Sequence, residues 1–270
     1  MPELQITPEQ AGWAFSGLRV LELEPGVSRR LQTADDELIV LPLAGAATVE
    51  VEGEAFALEG RESVFAAVTD FVYAPRDSEL EIASEAGGRF ALPSARAQRR
   101  REPRHVVAAS VAVELRGAGQ ASRQINNFCG PDVQFADRLI AVEVLTPAGN
   151  WSSYPPHKHD EDVPGVETAL EEIYYFEVAG GGFGYQRAYG PGIDVCEEVR
   201  TGDTVLLPSG YHGPSMAAPG YDLYYLNVMA GGGERAWRFT DDPAHAWIRD
   251  TWAGQELDPR LPMTEARRHA

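Results

Sequence analysis

His157 and His159 stand two residues apart in WSSYPPHKHDEDVPGVETALEEIYYF, Trp151 to Phe176, ahead of an apolar run led by glutamate. In an extended chain alternate side chains leave the same face, so both imidazoles enter one interior, along an approach stiffened by Pro155 and Pro156. A third imidazole, His212, follows in GDTVLLPSGYH, where an apolar strand stops at Pro208 and a turn at Gly210 presents it. Each histidine alone is more commonly a surface or satisfied core residue. The His-x-His pair, the strand-leading glutamate and the proline-glycine-histidine turn, in that order, predict a divalent-metal site. Three imidazoles and one carboxylate suit Zn, Mn, Fe, Co or Ni.

The carboxylate has two candidates, because Glu171 and Glu172 are adjacent and a strand sends them to opposite faces. Glu172 is the expected ligand. It shares a register with Glu37 in the first half, and it puts Tyr174 and Phe176 on the metal's side. Glu171 is then expected to face solvent.

These residues need strands to carry them. Apolar segments of four to eight residues, rich in β-branched and aromatic side chains, are punctuated by 27 Gly and 19 Pro, and helical periodicity is hard to find. That is the pattern of sandwiches and barrels, so the predicted class is mainly β. Glu37 to Val51 and Glu172 to Ala188 each read as two short strands around a glycine-containing turn. Glu37 is followed by seven residues and Gly45, and Glu172 by seven residues and Gly180. Gly60 and Gly202 likewise each begin a polar turn leading into an apolar strand. This self-similarity predicts two copies of one β-barrel in tandem. Expected units are residues 1–105, a barrel without a metal site; 106–255, the metal-binding barrel; and a tail, 256–270, with a short helix or strap over the barrel within Asp241 to Ala270. In the first unit Asp70 falls at the register of His212 and Glu37 at that of Glu172. With no histidine before His105, that unit is expected to provide packing and support.

The charge balance, 23 Lys plus Arg against 41 Asp plus Glu, repels a phosphate backbone and argues against nucleic acid as a partner. The basic cluster ARAQRRREPRHV, Ala95 to Val106, reads as a solvated connector that pairs with acidic surface. No apolar run approaches the roughly 20 residues that span a bilayer, and the N-terminus lacks a signal-peptide pattern, so no membrane association and a cytoplasmic location are expected. Cys129 and Cys196 form no Cys-x-x-Cys pair and are expected as buried small side chains in a reducing compartment.

The segments GNWSSYPPHKHD, LEEIYYF, LLPSGYH, YDLYYLNVMAG and DDPAHAW, lying between residues 149 and 247, resemble the 5-deoxy-glucuronate isomerases of myo-inositol catabolism within the cupin superfamily. The first half matches only loosely. A long acidic loop between His159 and Glu172 departs from the general cupin pattern. The resemblance implies a bicupin of two jelly-roll barrels and an aldose-ketose isomerase converting 5-deoxy-D-glucuronate to 5-dehydro-2-deoxy-D-gluconate. It also implies one divalent ion, zinc first, held by His157, His159, Glu172 and His212, a small uronic-acid substrate, and a homo-oligomer by analogy. Lys158, Tyr174 and His245 are candidates for moving the proton. Tyr154, Arg187, Gln186, Tyr225 and Asn227 are candidates for holding substrate, with Arg187 on the carboxylate. Gln186 and Arg187 alternate on their strand, so only one should line the cavity. An iron-dependent cupin dioxygenase and a noncatalytic sugar-binding cupin with structural zinc are the rival expectations.

Overall fold

In the computed structural model, which describes residues 3–266, the punctuated apolar runs are strands in three sheets. A nine-stranded sheet holds the first half. Its path runs Leu4–Ile6, Ser16–Leu23, Gly88–Arg96, Asp36–Val51, Phe71–Ala74, Arg104–Val106, and Val27–Gln32, Glu54–Arg61 and Glu79–Ser84 complete the other wall. The second half has two six-stranded sheets. One runs Ala112–Arg116, Arg123–Cys129, Ile140–Thr146, Leu223–Ala230, Glu171–Val178, Thr204–Leu207; the other gathers Ile193–Val199, Gly184–Gly190, Tyr211–Ala217, His157–Lys158 and Thr240–Asp241, with Trp151–Ser152 on Tyr211–Ala217. The architecture is mainly β and cupin-like. No helix of the described residues is long and apolar enough to cross a membrane.

Alternation along each strand divides the apolar side chains among three cores. Leu38, Val40, Val49, Leu80, Ile82 and Phe90 fill the first half, and Ile125, Val142, Tyr174, Phe176 and Tyr225 fill the second. The opposite faces, including Ile39, Leu41, Phe71, Phe128, Ile173 and Tyr224, pack the halves together. Charged groups are built into that seam. Glu37, fully buried, accepts the backbone N–H groups of Asp137, Arg138 and Leu139 and the Tyr73 hydroxyl. In return, Glu171 accepts the N–H groups of Ala14, Phe15 and Ser16 at 2.7, 2.9 and 2.7 Å. Between these clamps Arg61 and Glu143 form a bidentate pair with neither side chain exposed.

The symmetric clamps correct the expected register: Glu37 is the counterpart of Glu171, and Glu171 faces the other half rather than solvent. Other backbone pairings agree. Asp36 N–H donates to Thr33 O as Leu170 N–H donates to His159 O, and Leu31 pairs with Leu80 as His157 pairs with His212. The positions matching His157, His159, Glu172 and His212 are therefore Leu31, Thr33, Leu38 and Leu80. Asp70 is not the match of His212; it accepts from the N–H groups of Glu59 and Gly60 and lies 2.9 Å from His105 Nε2. The slip comes from the ten residues between His159 and Leu170 against two between Thr33 and Asp36. Gly60 also lies inside a strand, not at a turn matching Gly202.

Asp36–Val51 is one bent strand rather than two around a turn. Its ladder shifts register beside Gly45, which has φ +96°, and a Cβ there would meet Gly87 O at 2.7 Å. Only in the second half does a turn, Ala179–Gly181, separate two strands. The basic cluster is partly strand and pairs with acids, Arg99 with Asp137 and Arg100 with Glu52. Cys129 is buried as expected, whereas Cys196 is exposed because it lies on the outer Ile193–Val199 strand. The strap is a 3-10 segment, Ala246–Gly254. Beyond it the chain crosses the seam, where Met263 and Thr264 N–H groups donate to Gln124 Oε1 and Val68 N–H donates to Glu265 O. Residues 267–270 of the expected tail lie outside the described residues.

Candidate metal centre

Strand pairing brings the histidines together. His157 lies opposite His212 in the ladder, and Glu172 lies on the neighbouring sheet opposite Leu207, its side chain turned inward with Tyr174 and Phe176. Close approach of the two His-bearing segments requires Gly213: its φ is +93°, and a Cβ there would overlap Ser153 O at 1.8 Å.

Ligand atoms of His159, Glu172 and His212 all lie within 4.8 Å of one another, and all three residues are buried. Glu172 Oε2 is 3.1 Å from Nε2 of both His159 and His212. The His157 ring stands beside this trio, 4.6 Å from the His212 ring between centroids, but is not one of the three. Nδ1 of His157 faces Pro155 O at 3.1 Å and Nδ1 of His159 faces Leu170 O at 3.2 Å. A carbonyl only accepts, so each Nδ1 carries the hydrogen; Nε2 of His157 then presents a lone pair, and Nε2 of His159 donates to the Glu172 carboxylate unless a cation takes the place of that hydrogen.

These groups fit a cation. His212 Nε2 is buried with no aligned hydrogen-bond partner among the described residues, a costly condition that ligation relieves. Burial pushes His212 well below its ordinary pKa, and burial with the charge of His159 pushes His157 down to about 3, so both are neutral, as ligands must be. Burial also opposes charge on His159, but the hydrogen bond and charge of Glu172 outweigh it and raise that group. A cavity of about 10 Å³, lined by His159, Leu170, Leu207, Gly210 and His212 among others, adjoins the trio.

The expected proton carriers separate. Lys158 points away and is held by Asp160 Oδ1 at 2.6 Å, Glu167 Oε1 at 3.0 Å and Glu161 Oε2 at 3.2 Å. Burial works against its charge, but these carboxylates outweigh burial and raise it well above the ordinary lysine value, so it is an anchor rather than a base. Asp160 Oδ2 accepts Gly210 N–H at 2.7 Å, which ties the His157–His159 segment to the turn presenting His212. His245 is exposed at the start of the strap, outside the cluster, because it caps a surface segment. Tyr174 is in the interior, its ring 6.1 Å from that of His212, and burial followed by Glu172 raises its pKa well above 10, so the hydroxyl keeps its proton.

Among the expected substrate residues, Tyr225 and Asn227 line the interior. Both tyrosine hydroxyls meet Ser153 Oγ, Tyr174 at 3.0 Å and Tyr225 at 3.1 Å. Asn227 pairs with Tyr174 in the ladder, and its Nδ2 is buried without a hydrogen-bond partner among the described residues. Gln186, fully buried, accepts from the Ser215 hydroxyl. Arg187 takes the opposite face by strand alternation. It pairs with Asp194 at 2.6 Å, donates to Val195 O and stacks on Tyr189, which places it outside the interior and corrects its expected role. Tyr154 is half-buried against Trp151. Sequence reasoning passed over Ser153, Asp160, Glu167 and Arg123. Only Arg123 had a local signal, a cation alternating in phase with an inward isoleucine.

The KduI/IolB family model matches residues 2–248. The chain is 41% identical over 253 residues to a 5-deoxy-glucuronate isomerase of Geobacillus kaustophilus, covering 92% of this chain and 91% of that one. It is 37% identical over 249 residues to the Bacillus subtilis (strain 168) 5-deoxy-glucuronate isomerase, covering 90% and 91%. A crystal structure of an IolB-like protein from Salmonella typhimurium superposes with TM-score 0.87 at 39% identity, covering 91% and 94%. A Bacillus subtilis oxalate decarboxylase, at TM-score 0.61 and 12% identity over 88% and 74% of the chains, shares the fold.

Proposed function

We propose, from the premise that this chain belongs to the KduI/IolB family, that it is an aldose-ketose isomerase acting on 5-deoxy-glucuronate and forming 5-dehydro-2-deoxy-D-gluconate in inositol catabolism. The supporting observation is the buried His159, Glu172 and His212 trio inside an interior lined by tyrosine hydroxyls and side-chain amides. We read His157 as the fourth ligand of one divalent ion, zinc first, and residues 1–105 and 106–255 as the two barrel units.

The ion would supply Lewis-acid polarisation of the substrate carbonyl and the adjacent hydroxyl. Isomerisation moves one hydrogen from the carbon beside the aldehyde to the aldehyde carbon, and one hydroxyl proton to the former carbonyl oxygen. Tyr174, whose buried hydroxyl keeps its proton, donates to substrate oxygen and hands protons along Ser153 to Tyr225. Asn227 Nδ2 and Gln186 orient the sugar hydroxyls. Buried carbonyl partners on His157 and His159 prevent the rings from turning as substrate enters.

The decisive test incubates metal-loaded protein with 5-deoxy-glucuronate under strict anaerobiosis and follows aldehyde loss and ketone gain by NMR. Turnover without oxygen is expected. No turnover without oxygen but activity with it would instead mark a dioxygenase, and an unchanged sugar acid in both a structural zinc protein.

A further inference from the structure

We infer that Arg123 binds the carboxylate of the acid substrate. This assignment rests on the isomerase reading above and deepens it.

Arg123 opens the Arg123–Cys129 strand. Along that strand Gln124 and Asn126 face the seam, bonded to Thr264 and Glu143, whereas Ile125 belongs to the interior core of the second half. Alternation therefore turns Arg123 inward with Ile125. The residue is 4% exposed. Its Nη1 donates to Ala121 O at 3.0 Å and to Tyr154 O at 3.3 Å, and its guanidinium lies 5.6 Å from the centre of the Trp252 ring in the strap.

The segment it touches is the one that shapes the site. One residue before Tyr154, Ser153 joins the Tyr174 and Tyr225 hydroxyls; one residue after it, Pro155 O holds the His157 ring. Burial lowers the guanidinium to about 10, which still leaves a full cation at neutral pH.

What sets Arg123 apart is its partners. The arginines whose charge it feels are committed to acids: Arg116 to Glu114 and Arg249 to Asp241. No carboxylate of the described residues lies within 4 Å of Arg123, and the hydrogen bonds it makes leave from Nη1 alone. The Nε and Nη2 edge of its fork matches a carboxylate in geometry and charge. Burying a cation without a counter-charge is costly, so the site favours an anion there. A uronic acid carries its aldehyde and carboxylate at opposite ends, which suits an ion-binding trio and a cation in one interior.

The test compares Arg123→Met and Arg123→Lys with the parent on two sugars: 5-deoxy-glucuronate, and 5-deoxy-glucose, in which a hydroxymethyl group replaces the carboxylate. For Met, kcat/KM on the acid should fall about a hundredfold or more, chiefly through KM. On the neutral sugar it should stay within about threefold, with metal content per chain unchanged. Lys keeps the charge without the fork and should fall between, which guards against a Met variant that does not fold. Equal losses on both sugars, or unchanged kinetics on the acid, would overturn the assignment. Calorimetric titration of metal-free protein with 5-deoxy-glucuronate separates the two claims. A parent that binds the acid at least about tenfold more tightly than Arg123→Met but never isomerises it would sink the isomerase reading and keep Arg123. A parent that neither binds nor isomerises it would sink both.

Discussion

The two halves of this molecule share a strand register and fill it with opposite chemistry. Where the second has His157, His159, Glu172 and His212, the first has Leu31, Thr33, Leu38 and Leu80. The three leucines there contribute to stability with no helper, at about 25 cal/mol per Å² buried, and the Thr33 hydroxyl is already satisfied by Pro75 O. Imidazoles and a carboxylate in the same places are costly unless something satisfies them. One half can therefore serve as a rigid support while the other carries an energetically expensive interior.

The largest effect expected from this contrast comes from Glu172→Gln, which should remove bound metal, read by elemental analysis, and lower activity on the order of a thousandfold. Its counterpart Leu38→Ala should leave metal content untouched and cost about 2–5 kcal/mol of stability by denaturant unfolding. Metal loss in the Leu38 variant would break the division of labour.

At the seam, Arg61→Leu strands a buried Glu143 and should cost about 3–5 kcal/mol, whereas the double variant Arg61→Leu with Glu143→Leu should regain most of it. A double variant no better than the single would show that the pair does more than satisfy itself. Next come the clamps. Glu37→Gln and Glu171→Gln each weaken a set of charge-assisted bonds and should cost about 2 kcal/mol, with Glu171→Gln retaining its metal. Metal loss in Glu171→Gln would exchange the roles of the neighbouring glutamates.

The smallest effect is expected from Lys158→Met: roughly a tenfold fall in activity, from loosened ligand loops. Its sign with pH is specific. A lysine raised by its partners contributes fully below its unfolded pKa and loses that contribution only as pH climbs through the raised folded value, so the rate profile between about pH 6 and 9 should keep its shape. A profile shifted in that window would restore Lys158 as a base.

Much of this contrast could be read in the chain beforehand. The His-x-His pair, the glutamate and the glycine turn declare themselves because alternation in an extended strand is a local rule. The likeness of the two halves was readable for the same reason, although the loop after His159 and the bend at Gly45 shifted its register, by one residue at the match of Glu37 and by ten at the match of His212. What stayed hidden depends on contacts distant in sequence or on the path of an irregular loop. Glu171 seemed solvent-facing because its partners, Ala14 to Ser16, lie over 150 residues away. Lys158 looked available because the acids that hold it sit in an irregular loop, and Arg187 looked inward until the phase of its strand was known.

The crossed carboxylates bear on how the molecule is made. Glu37 leaves the ribosome a hundred residues before the amides at 137–139 that it binds, and Arg61 leaves well before Glu143. Until the second half follows, Glu37 has the Tyr73 hydroxyl and Arg61 the carbonyls of Pro42 and Ala67, but the acid lacks its three amides and the guanidinium its counter-charge. The stretch around Thr264, which grips Gln124, emerges 140 residues after it. Neither half has all of its seam contacts until that stretch has been made.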